Sequence, residues 1–281
     1  MGITEKINSL KLSSLNKYAF FLHLISGIVV AGVLYGAVGD INFNTTLYGY
    51  KLDTISSNGK DITFTYGEDG PKVDLTSDQL KAIVVAIFLL TAAFHYYYWK
   101  SKRYSTEVNS GKNRFRWIEY AITASLMIFI YNVISGVKDI YTVFLLVLFN
   151  IVMMAFGYFL EASPGAEGKK VAVLMGFFIL TIIFSFSYYQ FVANLERAKR
   201  KTTANPTGFD IPDWVYAIVI AMVFWWISFG VVGVLYYKAS LKGKVDFKRY
   251  ERYYILLSFL SKAFMGYYIA FGLTRDSPKA N

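Results

Sequence analysis

Seven long apolar segments dominate this sequence and constrain its fold more than any other feature. They lie at about 16–38, 78–99, 114–136, 140–160, 169–192, 213–237 and 250–273. Each is long enough to cross the hydrocarbon core of a bilayer, which takes about 20 mostly apolar residues in a helix. A backbone inside a bilayer must satisfy its own hydrogen bonds, so these segments should be helical. The sequence therefore predicts an all-α membrane protein, with one seven-transmembrane helix bundle over residues 1–281.

Composition supports the membrane assignment and argues against several kinds of site. Hydrophobic residues make up 55% of the chain and charged residues only 17%, below the roughly 25% of soluble domains. The chain has no cysteine and two histidines, which argues against thiolate chemistry and a conventional zinc site. No signal peptide is expected, because the first apolar run is too long for one. Since no nucleophile triad or phosphate-binding loop is evident either, we expect no enzyme activity.

The net charge of +10 is explained by membrane orientation. With a cytoplasmic N-terminus, the inner segments hold 17 Lys and Arg residues and the outer segments 11. Because basic loops stay inside, we expect a cell-membrane protein with its N-terminus cytoplasmic and its C-terminus extracellular, although the basic cluster at 196–201 opposes this. Nucleic acid is not expected as a partner. The inner loops at 100–116 and 238–252 could contact anionic lipid or an unknown cytoplasmic signalling partner.

The first outer loop has the pattern of a β-hairpin. Residues typical of strands alternate on both sides of Asn58-Gly59 within the loop at 39–77. This dipeptide is typical of a tight type I′ turn. We therefore expect an extracellular β-hairpin on the outer end of the bundle.

Two ionisable residues lie deep in predicted helices, where charge is costly and often functional. Lys262 lies about twelve residues into the seventh segment, Glu119 lies in the third, and Arg116 shares a helix face with Glu119. A buried lysine and a buried carboxylate are best accommodated as a pair. The pair could be a salt bridge that only locks two helices. Alternatively, the amine forms a Schiff base with an aldehyde, and the carboxylate is the counterion.

A long polyene aldehyde would need an aromatic-lined slot between helices. The sequence supplies candidates in three segments: Trp225, Trp226 and Phe229; Met153, Met154 and Phe156; and Phe177, Phe178 and Phe184. Each of these alone is equally explained by ordinary packing. The combination of seven helices, a lysine in the last and a glutamate in the third is much more specific.

At these residues the sequence resembles the heliorhodopsins, a group of microbial rhodopsins with inverted membrane orientation. The match rests on "RWIEY" followed by "SLM", on "FNIVMMAFGYFLE", on "SFLSK", and on the positions of His23 and His95. It extends over essentially the whole chain. The cytoplasmic N-terminus and the long first loop, both expected from the residues, agree with this family.

The resemblance implies an all-trans-retinal chromophore, bound to Lys262 as a Schiff base with Glu119 as its counterion. Ser258, one helical turn before Lys262, would hydrogen-bond near the Schiff base, while Arg116 and Tyr120 would frame the counterion. Light would isomerise the chromophore, move the Schiff-base N–H away from Glu119 and release its proton. The strained chromophore would then drive a conformational signal.

Further residues receive roles from the resemblance alone. His23 and His95, with Thr91 one turn before His95, match a polar cluster on the cytoplasmic side where the released proton could rest. The alternative for the two histidines is a buried, hydrogen-bonded pair that does not titrate. Asn150 and Met153 match positions that line the chromophore. The family also implies a homodimer.

A pump needs proton release and reloading on opposite sides of the membrane, usually by spaced carboxylates. Glu119 is the only clear acid within the spans, because Asp139 and Glu161 lie at span ends, where solvated charges are common. We therefore expect a light-sensing retinal protein rather than a pump. A light-gated or light-driven proton or ion transporter is the alternative, and a non-photoactive protein with a structural Lys–Glu pair is the third hypothesis.

Overall fold

The computed structural model is a helical bundle with a small β-structure at one end. It describes residues 10–36, 44–55, 62–66, 70–200, 212–243 and 245–275. Within these ranges, seven helices are long and apolar enough to cross a membrane: α1 Leu12–Gly36, α2 Ser77–Lys100, α4 Arg114–Ile134, α5 Ile140–Ala162, α6 Ala166–Lys199, α7 Asp213–Leu241 and α8 Phe247–Arg275. A short helix, α3 Lys102–Asn109, joins α2 to α4. The prediction of a seven-helix membrane bundle is confirmed.

The long helices form a closed ring. Each packs against the next long helix in the chain, and α8 returns to pack against α1. Large apolar side chains cover the outside of the ring: Ile220 is 71% exposed and Tyr189 is 69% exposed. Such a surface is stable only against lipid, so the protein is an integral membrane protein. The interior of the ring encloses the buried polar and charged groups.

Side-chain caps fix the starts of α2 and α4. At the start of α2, Thr76 and Gln79 form a reciprocal capping box, with N–O distances of 3.2 and 2.8 Å. Asn113 precedes α4, and its Oδ1 accepts the Arg116 N–H at 3.2 Å. This cap sets where α4 begins. The start of the helix in turn determines that the side chains of Arg116 and Glu119 point into the bundle.

Two antiparallel strand pairs lie in the connection between α1 and α2. Strand β2, Tyr50–Ile55, pairs with β3, Ile62–Tyr66, which confirms the predicted hairpin, although its Asn58-Gly59 turn lies outside the described residues. Strand β1, Thr45–Tyr48, pairs with β4, Lys72–Leu75. β1 is held on the α4–α5 connection by a hydrogen bond of 2.7 Å from the Tyr48 N–H to the Lys138 carbonyl. We call this end of the bundle the hairpin face and the end carrying α3 the opposite face.

The expectation that Asp139 and Glu161 are solvated is wrong, since the whole residues, backbone included, are only 5% and 8% exposed. Asp139 caps α5 and accepts the Thr142 N–H at 2.8 Å. Glu161 forms an ion pair with Arg116. Both residues lie at span ends, as predicted, but neighbouring connections fold over them and exclude water. Position along a span therefore does not decide exposure.

Candidate functional site: a buried lysine–glutamate pair

Lys262 of α8 and Glu119 of α4 face each other inside the ring. Their side chains are 3% and 1% exposed, and 3.4 Å separates Lys262 Nζ from Glu119 Oε1. The closest partner of the ammonium is Ser258, whose Oγ accepts at 2.7 Å. The ring of Tyr120 adds a cation–π contact, with its centroid 5.1 Å from Nζ. The predicted lysine, glutamate, serine and tyrosine are thus brought together around one amine.

The second oxygen of Glu119 is held by Tyr98 of α2. The Tyr98 hydroxyl donates to Oε2 at 3.0 Å, and Tyr98 is only 3% exposed. The carboxylate therefore lies between an ammonium and a phenol. Sequence reasoning missed Tyr98 because it is the last of three consecutive tyrosines, and the sequence does not show which of the three points into the bundle. Its spacing of three residues from His95, which places both on one helix face, was the available signal.

A cavity extends from Lys262 between α4, α5, α6 and α7. Together with its opening it contains about 820 Å³ of space free of protein atoms. Its walls are mostly aromatic and apolar, and of the predicted residues they include Tyr120, Met153, Met154, Phe156, Phe177, Trp226 and Phe229. An apolar lining with a single amine, that of Lys262, is the kind of site that suits an apolar molecule with one reactive end.

Two glycines make room for the rings that form these walls. A Cβ at Gly157 would lie 2.1 Å from the ring of Trp117, and one at Gly230 would lie 2.7 Å from Phe177. Neither distance is tolerable, because both rings pack directly against the backbone of a neighbouring helix. The glycines therefore leave room for the Trp117 and Phe177 rings in the cavity wall.

Four of the residues predicted to line the slot lie outside the lining: Trp225, Asn150, Phe178 and Phe184. Trp225 packs against Phe224 and Phe264, with ring centroids 5.1 and 6.4 Å away. Consecutive residues point about 100° apart on a helix, so only Trp226 of the pair faces the cavity. Asn150 is fully buried and donates to Ser125 Oγ at 3.0 Å, which ties α5 to α4.

Arg116 lies one turn from Glu119 towards the opposite face, and its ion pairs are made there. Its guanidinium contacts the carboxylates of Glu161 and Glu251, and all three side chains are at most 2% exposed. The Tyr254 ring centroid is 4.2 Å from the guanidinium carbon. We call Arg116, Glu161 and Glu251 the arginine cluster. Sequence reasoning did not single out Glu251, which lies in the first turns of α8.

The two predicted histidines come together as expected. His23 of α1 and His95 of α2 stack with ring centroids 5.4 Å apart and an angle of 9° between their planes. Both are essentially fully buried, as is Thr91, whose hydroxyl donates to the Ile87 carbonyl at 2.8 Å. The His95 ring meets Tyr98 edge-on at 5.5 Å. The histidines therefore lie beside the residue that holds Glu119.

Hydrogen bonds fix the neutral tautomer of His95. Asn16 Nδ2 donates to the Leu12 carbonyl and to the Tyr104 hydroxyl, both at 3.0 Å, so Asn16 Oδ1 is an acceptor. That oxygen lies 2.8 Å from His95 Nδ1, which must therefore carry the proton. His95 Nε2 is left with a free lone pair and has no hydrogen-bond partner among the described residues.

The polar network continues to the arginine cluster. The Tyr104 hydroxyl donates to Glu251 Oε1 at 3.1 Å, and Asn113 Nδ2 donates to the same oxygen at 2.8 Å. Burial raises the pKa of Tyr104 well above its ordinary value, so the phenol stays protonated and donates. Asn16, Tyr104 and Asn113 were not predicted. Asn16 lies two helical turns before His23, and that spacing was the available signal.

The family model of the heliorhodopsins matches residues 12–274. The chain belongs to the heliorhodopsin family. The family and its fold are those of retinal-binding photoreceptor proteins. A search of curated proteins gives no match to this heliorhodopsin sequence.

Solved structures share the fold. The transmembrane domain of the Salpingoeca rosetta rhodopsin phosphodiesterase has a TM-score of 0.66 and 12% identity, covering 95% of this chain and 85% of that one. A light-driven proton pump from Leptosphaeria maculans has a TM-score of 0.62 and 13% identity, covering 97% and 96%. The thermophilic rhodopsin of Rubrobacter xylanophilus has a TM-score of 0.62 and 13% identity, covering 94% and 96%. At this identity the likeness shows the fold alone.

Proposed function

We propose that this protein is a light sensor in which retinal occupies the cavity and is attached at Lys262. The observation that carries the proposal is a fully buried lysine amine at the end of an aromatic cavity, with one carboxylate 3.4 Å away. A salt bridge that only joined two helices would not need an apolar cavity beside it. Family membership supports the same assignment.

Bound all-trans-retinal would supply the absorption of visible light and isomerisation about a double bond. The chain supplies the rest. Glu119 balances the positive charge at the Lys262 nitrogen, and Tyr98 fixes the carboxylate by its second oxygen. Ser258 accepts a hydrogen bond from that nitrogen and orients it. The aromatic walls exclude water, which strengthens the ion pair.

We assign proton acceptance to His95 Nε2, because its lone pair is free and its Nδ1 proton is committed to Asn16. A proton that leaves the Lys262 nitrogen would make His95 an imidazolium beside Tyr98. His23 is stacked on His95 and would contact that imidazolium directly. Both histidines are thus part of the switch and not only of the packing.

A sensor is favoured over a pump because, apart from the helix cap Asp139 at the hairpin face, the buried charges lie on one side of the Lys262–Glu119 pair. Towards the opposite face they continue through His95 and the arginine cluster. Towards the hairpin face the seven spans carry no Asp, Glu, Lys or Arg except near their ends. A pump requires routes in both directions, whereas a sensor requires only a charge that moves internally.

The test is to add all-trans-retinal to the expressed protein and to illuminate the product. A visible absorption band that changes with light is the expected result, and a colourless protein would contradict the proposal. Coloured vesicles illuminated with and without an uncoupler then separate sensing from light-gated or light-driven transport. A sustained light-dependent pH change or current would favour the transporter.

From the family and the charge distribution we also propose a homodimer, a cytoplasmic N-terminus and an unknown cytoplasmic signalling partner. The opposite face would then be cytoplasmic and the hairpin face extracellular. Protease accessibility of a tag at each terminus in right-side-out vesicles tests the orientation. The molar mass of the detergent-solubilised protein tests the dimer.

A further inference from the structure

Asn16 is the link between the histidines and the arginine cluster. It is completely buried in α1. Its Oδ1 lies 2.8 Å from His95 Nδ1, and its Nδ2 lies 3.0 Å from the Tyr104 hydroxyl. Tyr104 in turn donates to Glu251. An unbroken hydrogen-bonded chain therefore leads from His95 to a carboxylate near the opposite face.

The members of this chain differ in whether they can relay a proton. Imidazole, phenol and carboxylate groups can each accept a proton at one lone pair and release another. A carboxamide cannot do so, because its oxygen is a very weak base and its N–H a very weak acid. Asn16 is the only carboxamide in the direct path from His95 to Glu251. It passes on the hydrogen bond but not the proton.

We propose that Asn16 is the residue that keeps the light-released proton inside the protein, and so separates a sensor from a proton conductor. The inference rests on the proposed function, with His95 as the proton acceptor. Because Asn16 Nδ2 also donates to the Leu12 carbonyl, the amide cannot flip without losing a hydrogen bond. The block is therefore held in one orientation.

No second direct route bypasses Asn16 among the described residues. Tyr98 and Tyr104 stack with ring centroids 4.9 Å apart, but the Tyr98 hydroxyl donates to Glu119 and the Tyr104 hydroxyl to Glu251.

The titratable and charged groups that face this region come from several helices. They are His23 from α1, His95 and Tyr98 from α2, Tyr104 from α3, Arg116, Glu119 and Tyr120 from α4, Glu161 from α5, Tyr236 from α7, and Glu251, Tyr254 and Lys262 from α8.

Retention of the proton has a mechanical consequence. An imidazolium donates a stronger hydrogen bond than a neutral imidazole. Protonation of His95 therefore strengthens and shortens its hydrogen bond to Asn16. Asn16 is bonded to Tyr104, a buried residue of α3, which lies at the opposite face. The trapped charge is thereby coupled to a surface helix without any proton leaving the protein.

The test is Asn16→Asp, which keeps the size of the side chain and supplies a relay. The new carboxylate takes the Nδ1 proton of the His95 imidazolium. It passes that proton to the Tyr104 oxygen while Tyr104 releases its own proton to Glu251, so one proton moves and every bond broken is replaced. We expect a light-induced proton signal at the opposite face, read by a pH dye, at least about tenfold larger than in the parent protein.

Asn132→Asp is the matched control. Asn132 is also completely buried, and its Nδ2 also donates to the carbonyl four residues earlier, at 2.8 Å. Its Oδ1 accepts from Ser187, in the half of the bundle next to the hairpin face. This control should leave the proton signal at the parent level. Adding Tyr104→Phe to Asn16→Asp should abolish the gain.

Two results would overturn the inference. One is a coloured, photoactive Asn16→Asp protein with no more proton release than the parent. The other is proton release to the opposite face by the parent itself. If Asn16→Asp does not fold, difference infrared spectroscopy of the parent protein decides. A light-induced carboxylic acid band that disappears in Glu251→Gln would show that the proton passes Asn16, and would overturn the inference. The absence of such a band supports the inference. A parent protein that stays colourless with retinal defeats the proposed function instead.

Discussion

The two halves of the bundle bury different kinds of polar group. Next to the hairpin face, Asp139 caps α5, and neutral pairs join helices: Asn132 to Ser187 at 2.9 Å, and Asn194 to the Gly136 carbonyl at 2.7 Å. From Lys262 towards the opposite face, the buried groups are charged or can become charged. Neutral pairs fix helix positions at little cost, whereas buried charges are expensive unless each is paired. The difference indicates that the charged half performs the function and the neutral half supports it.

The largest effect is expected from Lys262→Ala, which removes the only amine that opens onto the cavity in the part of the chain that the structure describes. Pigment formation with retinal should be lost completely, as measured by the visible absorption band. Lys138→Ala, at the hairpin face, is the control and should form pigment normally. An unchanged band in Lys262→Ala would mean that the charged half does not hold the chromophore.

Glu119→Gln should change the colour strongly, because the carboxylate nearest the Lys262 nitrogen loses its charge. With the nitrogen still protonated, absorption should move to longer wavelength, since the ground state is no longer stabilised by the counterion. Absorption spectra of the purified pigment measure this. Glu107→Gln in α3, where Glu107 pairs with Arg114, is the control and should keep the parent spectrum. A parent-like Glu119→Gln spectrum would show that another group is the counterion.

Arg116→Ala should destabilise the protein by about 3–5 kcal/mol, since it leaves two buried carboxylates without their partner. The midpoint of thermal bleaching, or of denaturant unfolding in detergent, measures the loss. Arg249→Ala, an exposed arginine at the start of α8, should cost less than about 1 kcal/mol. Equal losses in the two variants would contradict the role of the arginine cluster.

Tyr98→Phe removes one hydrogen bond from Glu119 and should lower the free energy of unfolding by about 1.5–3 kcal/mol. The negative charge then concentrates on the oxygen nearest Lys262. Absorption should therefore move to shorter wavelength, by less than in Glu119→Gln and in the other direction. Tyr97→Phe is the matched control, because Tyr97 packs edge-on against Phe115. An absorption shift of the same size in the control would contradict the assignment of Tyr98 as the residue that holds Glu119.

The smallest effect is expected in the neutral half, from Ser187→Ala. This change removes the hydroxyl that donates to Asn132 Oδ1 and should lower the free energy of unfolding by about 1 kcal/mol. The absorption maximum and the photocycle should stay as in the parent. A change in either would show that the two halves are not separate in function.

Sequence reasoning found the centre of the site but not its surroundings. Lys262 and Glu119 were recognisable because a charge within an apolar helix is conspicuous and expensive. Glu161 and Glu251 lie near helix ends, where the sequence cannot distinguish a solvated carboxylate from a buried one. Trp225 and Trp226 are adjacent and chemically identical, so only the rotation of α7 decides which one lines the cavity.

The sequence by itself determined the number of spans, the hairpin and the lysine–glutamate pair, because these follow from local hydrophobicity, turn chemistry and the cost of isolated charge. The tertiary structure alone decided which partners complete the site. Tyr98 on Glu119, Asn16 between His95 and Tyr104, and Arg116 between Glu161 and Glu251 are contacts between different elements. Their formation depends on how the helices are rotated and how far each is shifted along its axis, which hydrophobic periodicity does not specify.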